Sequence, residues 1–480
     1  MTDLQTRPAV AAAAPGGPRP GALLTLILAG QLMAVLDIAI VNVAVPTIRA
    51  DLHATGAALQ LVVAGYTIAY AVLLITGARL GARYGYARLF RYGLAGFTAA
   101  SLACGLAPGT EALIGFRVLQ GVGAAVMVPQ VMSLIQRTFT GPARVRALGL
   151  YSAVLAGGMA AGQVLGGLLV SADLFGAGWR PVFLVNVPLG VALLLAGRRL
   201  LPAAPGDPGR RFDVPGLVVL ALALGLLVVP LVLGHELGWP AWGWVMLAGS
   251  GVLFAVFAAV ERRVAARGGQ PLVPARVLRA PGLLPAAGAV FLVMAGFAGF
   301  MFAFALHQQA GLGHSALKAG LLSAPVAVGF GLSSLHWQRL PARLHRVLPV
   351  LALALVAPAY LATGWLLRDG GPVDLVAELV LTGLGLAAGC AYSPLFGRAL
   401  ARVDPADAAD ASGVVVTLVQ LGQVVGVAVL GTVFLGRVRF PATAAASGHA
   451  LWTADAVITG ALVLAALSAL AGTRNRGKVN

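Results

Sequence analysis

The chain has 480 residues, 59% of them hydrophobic and only 10% charged, against about 25% charged in an ordinary soluble domain. With a mean hydropathy of +0.91, this composition excludes a soluble enzyme, a disordered chain and a coiled coil, and it demands lipid as the solvent. The net charge of +17 is then first a question of membrane topology, before nucleic-acid binding is considered.

Residues 1–20, rich in Ala, Pro and Gly with Arg7 and Arg19, read as a flexible cytoplasmic tail. The apolar run that starts near Gly21 is too long for the core of a signal peptide, and no small-residue cleavage pattern follows it. It reads as the first spanning helix. Windows of about 20 residues give runs near 21–45, 57–77, 88–107, 110–132, 147–171, 182–201, 213–234, 241–261, 283–306, 316–337, 347–367, 374–397, 412–435 and 453–473. The expectation is an all-α integral membrane protein with fourteen transmembrane helices.

The distribution of Lys and Arg fits that count. With the N-terminus inside, 26 of the 33 fall in cytoplasmic segments and 6 outside, while Arg117 lies within a span. Missing or inventing one helix would scramble this alternation. Both termini are expected on the cytoplasmic side, and the basic charge needs no nucleic acid.

Helices 1–6 (residues 21–201) and 9–14 (residues 282–473) read as two comparable six-helix bundles. Residues 202–281 open Pro-rich and close Arg-rich, and carry helices 7 and 8 as an inserted linker hairpin; residues 474–480 form a second short tail. Two bundles that rock against each other are the architecture of a secondary transporter.

Two charges lie where lipid should exclude them. Asp37 is about 14 residues, or roughly 21 Å, into helix 1; Arg117 is about 7 residues, or roughly 10 Å, into helix 4 from the other side. In a core about 30 Å thick the two reach nearly one level. A carboxylate at membrane depth costs about 2.5–3.5 kcal/mol on insertion scales. The pair reads either as a proton-linked site facing a cavity or as a static ion pair. A buried ion pair is weak stabilisation, which favours the former.

Gln120, one helical step from Arg117, and Asn42 are candidates for the substrate cavity. Gln163, Gln420 and Gln423 suit interhelical hydrogen bonds. Glu111, Asp374, Glu378 and Asp455 sit near helix ends as solvated caps, with Glu378 the deepest and a second titratable candidate. Helix 5 carries Gly158, Gly162, Gly166 and Gly167, and helix 13 carries Gly422, Gly426 and Gly431, stripes that permit close helix packing. No His, Cys, Asp or Glu cluster has metal spacing, and no Walker sequence is present, so ATP is not the direct driving force.

Several stretches resemble the major facilitator superfamily, specifically its fourteen-helix drug:proton antiporter branch. Leu36-Asp37-Ile38-Ala39-Ile40-Val41-Asn42-Val43-Ala44-Val45-Pro46 is similar to that branch's helix 1 motif, with Ala39 where Thr or Ser is usual. Arg117-Val118-Leu119-Gln120-Gly121-Val122-Gly123-Ala124-Ala125 resembles the helix 4 motif, whose Arg is implicated in proton transfer. Trp179-Arg180-Pro181 through Asn186-Val187-Pro188, Arg211-Phe212-Asp213-Val214-Pro215-Gly216, and Ser315-Ala316-Leu317-Lys318-Ala319-Gly320-Leu321 with Pro325 resemble the entries to helices 6, 7 and 10. The loop after helix 2, with Gly77, Arg83, Gly85 and Arg88, resembles the cytoplasmic gate loop, but has Ala82 where Asp is usual and Tyr86 where a basic residue is usual. Helix 5 has Gly162-Gln163 in place of Gly-Pro.

The resemblance implies proton-driven export of amphipathic or cationic small molecules from a bacterium across its cytoplasmic membrane, by a protein working as a monomer. It would need no cofactor beyond the proton gradient; Asp37 would exchange the proton and Arg117 would tune it. The alternatives are a proton-coupled importer or exporter of one metabolite and a membrane-embedded enzyme. The latter needs clustered catalytic groups at one membrane face, and the sequence offers none.

Overall fold

The computed structural model describes residues 20–476 apart from 203–205, 207–212, 235–236, 270, 273–274, 346, 405–406 and 439–441. The expected N-terminal tail, most of the Pro-rich start of the linker with Arg211-Phe212, and Lys478 lie outside the described residues.

The described chain is helical throughout. Its long helices are α1 (Pro20–Leu52), α2 (Gly56–Tyr84), α3 (Tyr86–Gly105), α4 (Thr110–Thr138), α5 (Gly141–Ala172), α6 (Pro181–Leu200), α7 (Val214–Leu233), α8 (Ala241–Ala266), α9 (Leu283–Leu306), α10 (Ala316–His336), α11 (Leu348–Leu367), α12 (Leu375–Leu400), α13 (Ala408–Leu435) and α14 (Ala444–Arg476). Among the described residues, eleven helices are long and apolar enough to cross a membrane, against the fourteen expected. The three long helices outside that set are α3, α5 and α14. Arg88 and Arg91 open α3, while α5 and α14 each include residues whose side chains lie outside the described set. Large apolar side chains such as Leu222, Trp244, Val245, Val350 and Leu375 are exposed on the outer helix faces, as lipid contact requires.

Helix pairing repeats along the chain. In the first half α1 packs on α5, α2 on α4, α3 on α4 and α3 on α6; in the second, α9 packs on α13, α10 on α12, α11 on α12 and α11 on α14. Glycines make these contacts close. Cβ atoms added at Gly158 and Gly162 of α5 would lie 2.8 Å from Val35 and 2.7 Å from Ala39 of α1, and one at Gly166 would be 3.0 Å from Ile40; Gly167 is buried beside it. In the second half Gly422 and Gly426 of α13 abut the carbonyls of Phe291 and Ala295 on α9.

The halves meet mainly where α5 packs on α10, with a second, smaller contact between α2 and α13. Helices α7 and α8 pack on each other, and Ser250 Oγ donates to the Ala223 carbonyl at 2.8 Å. Helix α7 also lies on α2, where Val228 is buried with Ala71 of α2 and Val424 of α13.

Candidate functional site

Proline and glycine set the backbone around the site. Pro188 has no N–H for the Leu184 carbonyl, and α6 breaks at Val185 into segments Pro181–Leu184 and Asn186–Leu200. The break points Asn186 inward at the level of Asp37. Pro129 likewise frees the Ala125 carbonyl of α4, and Gly77 of α2 packs against that carbonyl. Gln130 Nε2 then donates to the Gly77 carbonyl at 2.8 Å.

Asp37 and Arg117 form an ion pair with side-chain exposures of 0% and 1%. Asp37 accepts from three donors: Arg117 Nη1 on Oδ2, and Gln120 Nε2 at 2.7 Å and Asn186 Nδ2 at 3.2 Å on Oδ1. Arg117 Nη1 also donates to Gln120 Oε1 at 2.6 Å, and Nε donates to the Val62 carbonyl at 3.0 Å. Gln120 Nε2 donates in addition to Ser101 Oγ at 2.7 Å. The guanidinium lies 4.6 Å from the Tyr66 ring centroid and 5.7 Å from that of Phe183, a cation–π arrangement strengthened by desolvation. One network thus ties α1, α2, α3, α4 and α6 together.

The sequence singled out Asp37, Arg117 and Gln120, and the structure brings them into contact. Gln120 is fully buried within the network rather than on an open cavity wall. The side chain of Asn42 lies outside the described residues. Asn186, Ser101 and Tyr66 were not singled out. The detectable signal was Asn186, a polar residue inside the quoted helix 6 stretch. Glu378 is apart from all of them, exposed in the first turn of α12. Asp455, expected as a solvated cap, is instead fully buried.

Gly85, with φ +99°, turns the chain between α2 and α3, and its N–H donates to the Gly81 carbonyl at 2.9 Å. Arg83 lies over the Tyr84 ring at 5.4 Å, and Arg88 is exposed. Ala82, where the family resemblance leads one to expect Asp, is buried. Gln163 is buried with Oε1 unpartnered, Gln423 is half-buried, and Gln420 Nε2 donates to the Tyr70 hydroxyl across the α2–α13 seam.

Tyr66 stacks on Tyr70 at 6.0 Å, which links the ion pair to this seam. Close by, a cavity of about 10 Å³ lies between α4, α5 and α12, lined by Met132, Leu148, Tyr151, Ser152, Tyr392 and Phe396 among others, room for about one water molecule. The Tyr151 hydroxyl makes no hydrogen bond.

At the opposite end of the first half, Trp179 Nε1 and Arg180 Nη1 both donate to Asp51 Oδ2 at 2.9 Å. The Trp179 hydrogen bond, and then that of Arg180, hold the Asp51 carboxyl below its ordinary range. In the second half, burial and then the Lys318 ammonium keep His314 below the usual histidine range.

A family model for the Major Facilitator Superfamily matches residues 27–427. Over 446 residues the chain is 41% identical to a probable actinorhodin transporter of Streptomyces coelicolor, covering 90% of this chain and 76% of that protein. It is 36% identical to the puromycin resistance protein of Streptomyces alboniger, covering 97% and 94%, and 35% identical to the tetracenomycin C resistance and export protein of Streptomyces glaucescens, covering 88% and 77%. The crystal structure of the human organic anion transporter MFSD10 shares the fold with a TM-score of 0.61 at 16% identity, covering 94% of this chain and 99% of that one. The chain is therefore a multi-pass membrane protein that belongs to the Major Facilitator Superfamily.

Proposed function

We propose that this chain is a proton-driven exporter of antibiotic-like, amphipathic small molecules in the cytoplasmic membrane of a bacterium. It spans the membrane fourteen times with both termini inside, and works by alternating access of two six-helix halves joined by α7 and α8. Three relatives at 35–41% identity carry export, transport or resistance to an antibiotic in their names, which supports the substrate class.

The observation that carries the coupling mechanism is the Asp37–Arg117 pair at membrane depth, completed by Gln120 and Asn186. Asp37 exchanges the proton, and Arg117 holds the carboxylate when the proton has left. Protonating Asp37 releases Arg117 toward Tyr66, whose ring stacks on Tyr70 at the seam between halves. The membrane potential supplies about 2.3 kcal/mol per charge per 100 mV.

The test is an antibiotic susceptibility panel in an efflux-deficient host, followed by efflux of the best compound from energised cells. Expression should raise resistance to at least one antibiotic, and collapse of the proton gradient should abolish efflux. Efflux that persists without the gradient would refute proton coupling.

A further inference from the structure

The two halves each bury a carboxylate at membrane depth, and they treat it differently. Asp37 has a resident counter-cation and three hydrogen-bond donors. Asp455 of α14 is equally inaccessible, yet neither of its oxygens has a hydrogen-bond partner. It lies eleven residues from the start of α14, roughly 16 Å along the helix. The Tyr360 hydroxyl of α11, also buried and unpartnered, belongs to the same cluster: Gly364 of α11 and Gly296 of α9 bring these helices against Asp455, Tyr360 and Ile458.

Among the described residues, no free cation on the packed helices faces Asp455: Arg368, which caps α11 one turn beyond Gly364, is paired with Asp369 at 3.2 Å and lies over the Trp365 ring. Helix α9 contains no charged residue, and Tyr360 is the one titratable residue of α11. Asp410 belongs to the first turn of α13. On α14 itself His449 is exposed, and Arg474 is 19 residues away, roughly 28 Å. His307, in the π-helical turn that ends α9, is engaged through Nδ1 with Ser447 Oγ at 2.8 Å. Ser447 precedes Asp455 by eight residues.

A buried carboxylate with no fixed partner needs its counter-charge from solution. Hard metal cations take about six or more oxygen ligands, and here two carboxylate oxygens and one phenol are at hand. The cation that fits is a proton. We propose that Asp455 is a second proton-binding site, in the second half of the molecule, loaded and unloaded as the halves rearrange; it rests on the reading of the chain as a proton-driven exporter.

The packing over Asp455 can open. A Cβ at Gly364 would lie 2.9 Å from Asp455 Oδ2 and 2.8 Å from Trp452 Cα, so the absent side chain lets α11 close directly over the carboxyl. Between the two helices Thr459 Oγ1 donates to the Ala357 carbonyl at 3.1 Å. Parting α11 from α14 would expose Asp455 to water without breaking an ion pair.

Two measurements on the full chain in lipid test this. Infrared difference spectra, recorded as pH is stepped, should show the C=O band of a protonated carboxyl that disappears reversibly on alkalinisation. That band should be missing in Asp455→Asn and retained in Asp37→Asn. A band untouched by Asp455→Asn, or an Asp455 band that persists at every pH, overturns the proposal, because the group then never exchanges its proton. This arm needs no transport substrate, so it stands apart from a failure of the efflux reading. In the second arm, efflux of the compound identified by susceptibility should fall at least tenfold in Asp455→Asn at parental abundance, and Asp455→Glu should recover part of it. Parental efflux in Asp455→Asn, with unchanged dependence on the pH gradient, also overturns the proposal.

Discussion

At Asp37, three donors converge on one carboxylate with no water-exposed surface. Asp37→Asn keeps the size and removes the titration, so the variant should reach the membrane at near-parental abundance while gradient-driven efflux falls at least tenfold. Parental efflux would remove Asp37 from the coupling path. Arg117→Ala strands the carboxylate, and breaking a buried pair costs about 3–5 kcal/mol; abundance and melting temperature should both drop. Asp51 makes a milder prediction. Its folded-state carboxyl is held below the ordinary 3.8 by Trp179 and Arg180. The contact is therefore fully present above that value and is lost as pH falls through the lower, folded value. Trp179 fluorescence should stay flat from neutral pH to about pH 4 and change only below, and Asp51→Asn should abolish the transition. Asp37, Arg117 and Gln120 were legible in the sequence because charge and amide groups in an apolar run are costly and must be answered by partners. Ser101 and Tyr66 were not: a serine hydroxyl can satisfy itself on its own helix, as Ser101 does by donating to the Phe97 carbonyl at 2.8 Å, and Tyr66 is mostly an apolar ring whose hydroxyl donates to the Ala34 carbonyl of α1 at 3.1 Å.

Helices succeed or fail here by how closely their backbones can approach. Gly162 of α5 faces Ala39 and the Leu36 carbonyl, the residues that flank Asp37, and a Cβ there would lie 2.7 Å and 2.9 Å away. Gly115 of α4 has open space around it. Gly162→Val should lower stability by about 1–3 kcal/mol through overpacking and disturb efflux, whereas Gly115→Ala should leave both within error; a thermal melt of the detergent-solubilised variants decides. The apolar runs were readable because the bilayer imposes their length. Their ends were less so, and that misled the depth estimate for acidic residues. The expected last span began at residue 453, which put Asp455 at its mouth. Helix α14 in fact begins at Ala444, since the small residues Ala444, Ala445 and Ala446 extend the helix before hydropathy rises. At Glu378 the end was readable: the span was expected from residue 374, α12 begins at Leu375, and the residue is exposed in the first turn.

The whole molecule repeats one pairing scheme twice, and the two copies meet chiefly along α5 and α10. The repeat could be anticipated from fourteen runs flanking a Pro-rich and an Arg-rich segment, but the partners across the seam could not. The seam residues the contacts name, Gly149, Ala153, Gly331, Ser334 and Leu335, are uncharged and carry no pattern that would mark them. Gly149 of α5 abuts Ser334 and Leu335 of α10, and a Cβ at Gly331 would stand 3.2 Å from Ala153 Cβ. Alternating access requires the two halves to tilt about such contacts. A disulfide spans Cβ atoms about 3.5–4.5 Å apart, so the pair Gly331→Cys and Ala153→Cys is close enough to bridge with a small adjustment. In a background with Cys104 and Cys390 replaced by Ser, oxidation should join the halves, seen as resistance to separation after proteolysis in the α7–α8 region. Efflux should fall at least tenfold on oxidation and return with reductant, while each single cysteine variant stays insensitive to both. If the cross-linked protein transports at the parental rate, α5 and α10 move as one body, and the conformational change must run through the α2–α13 contact where Gln420 meets Tyr70.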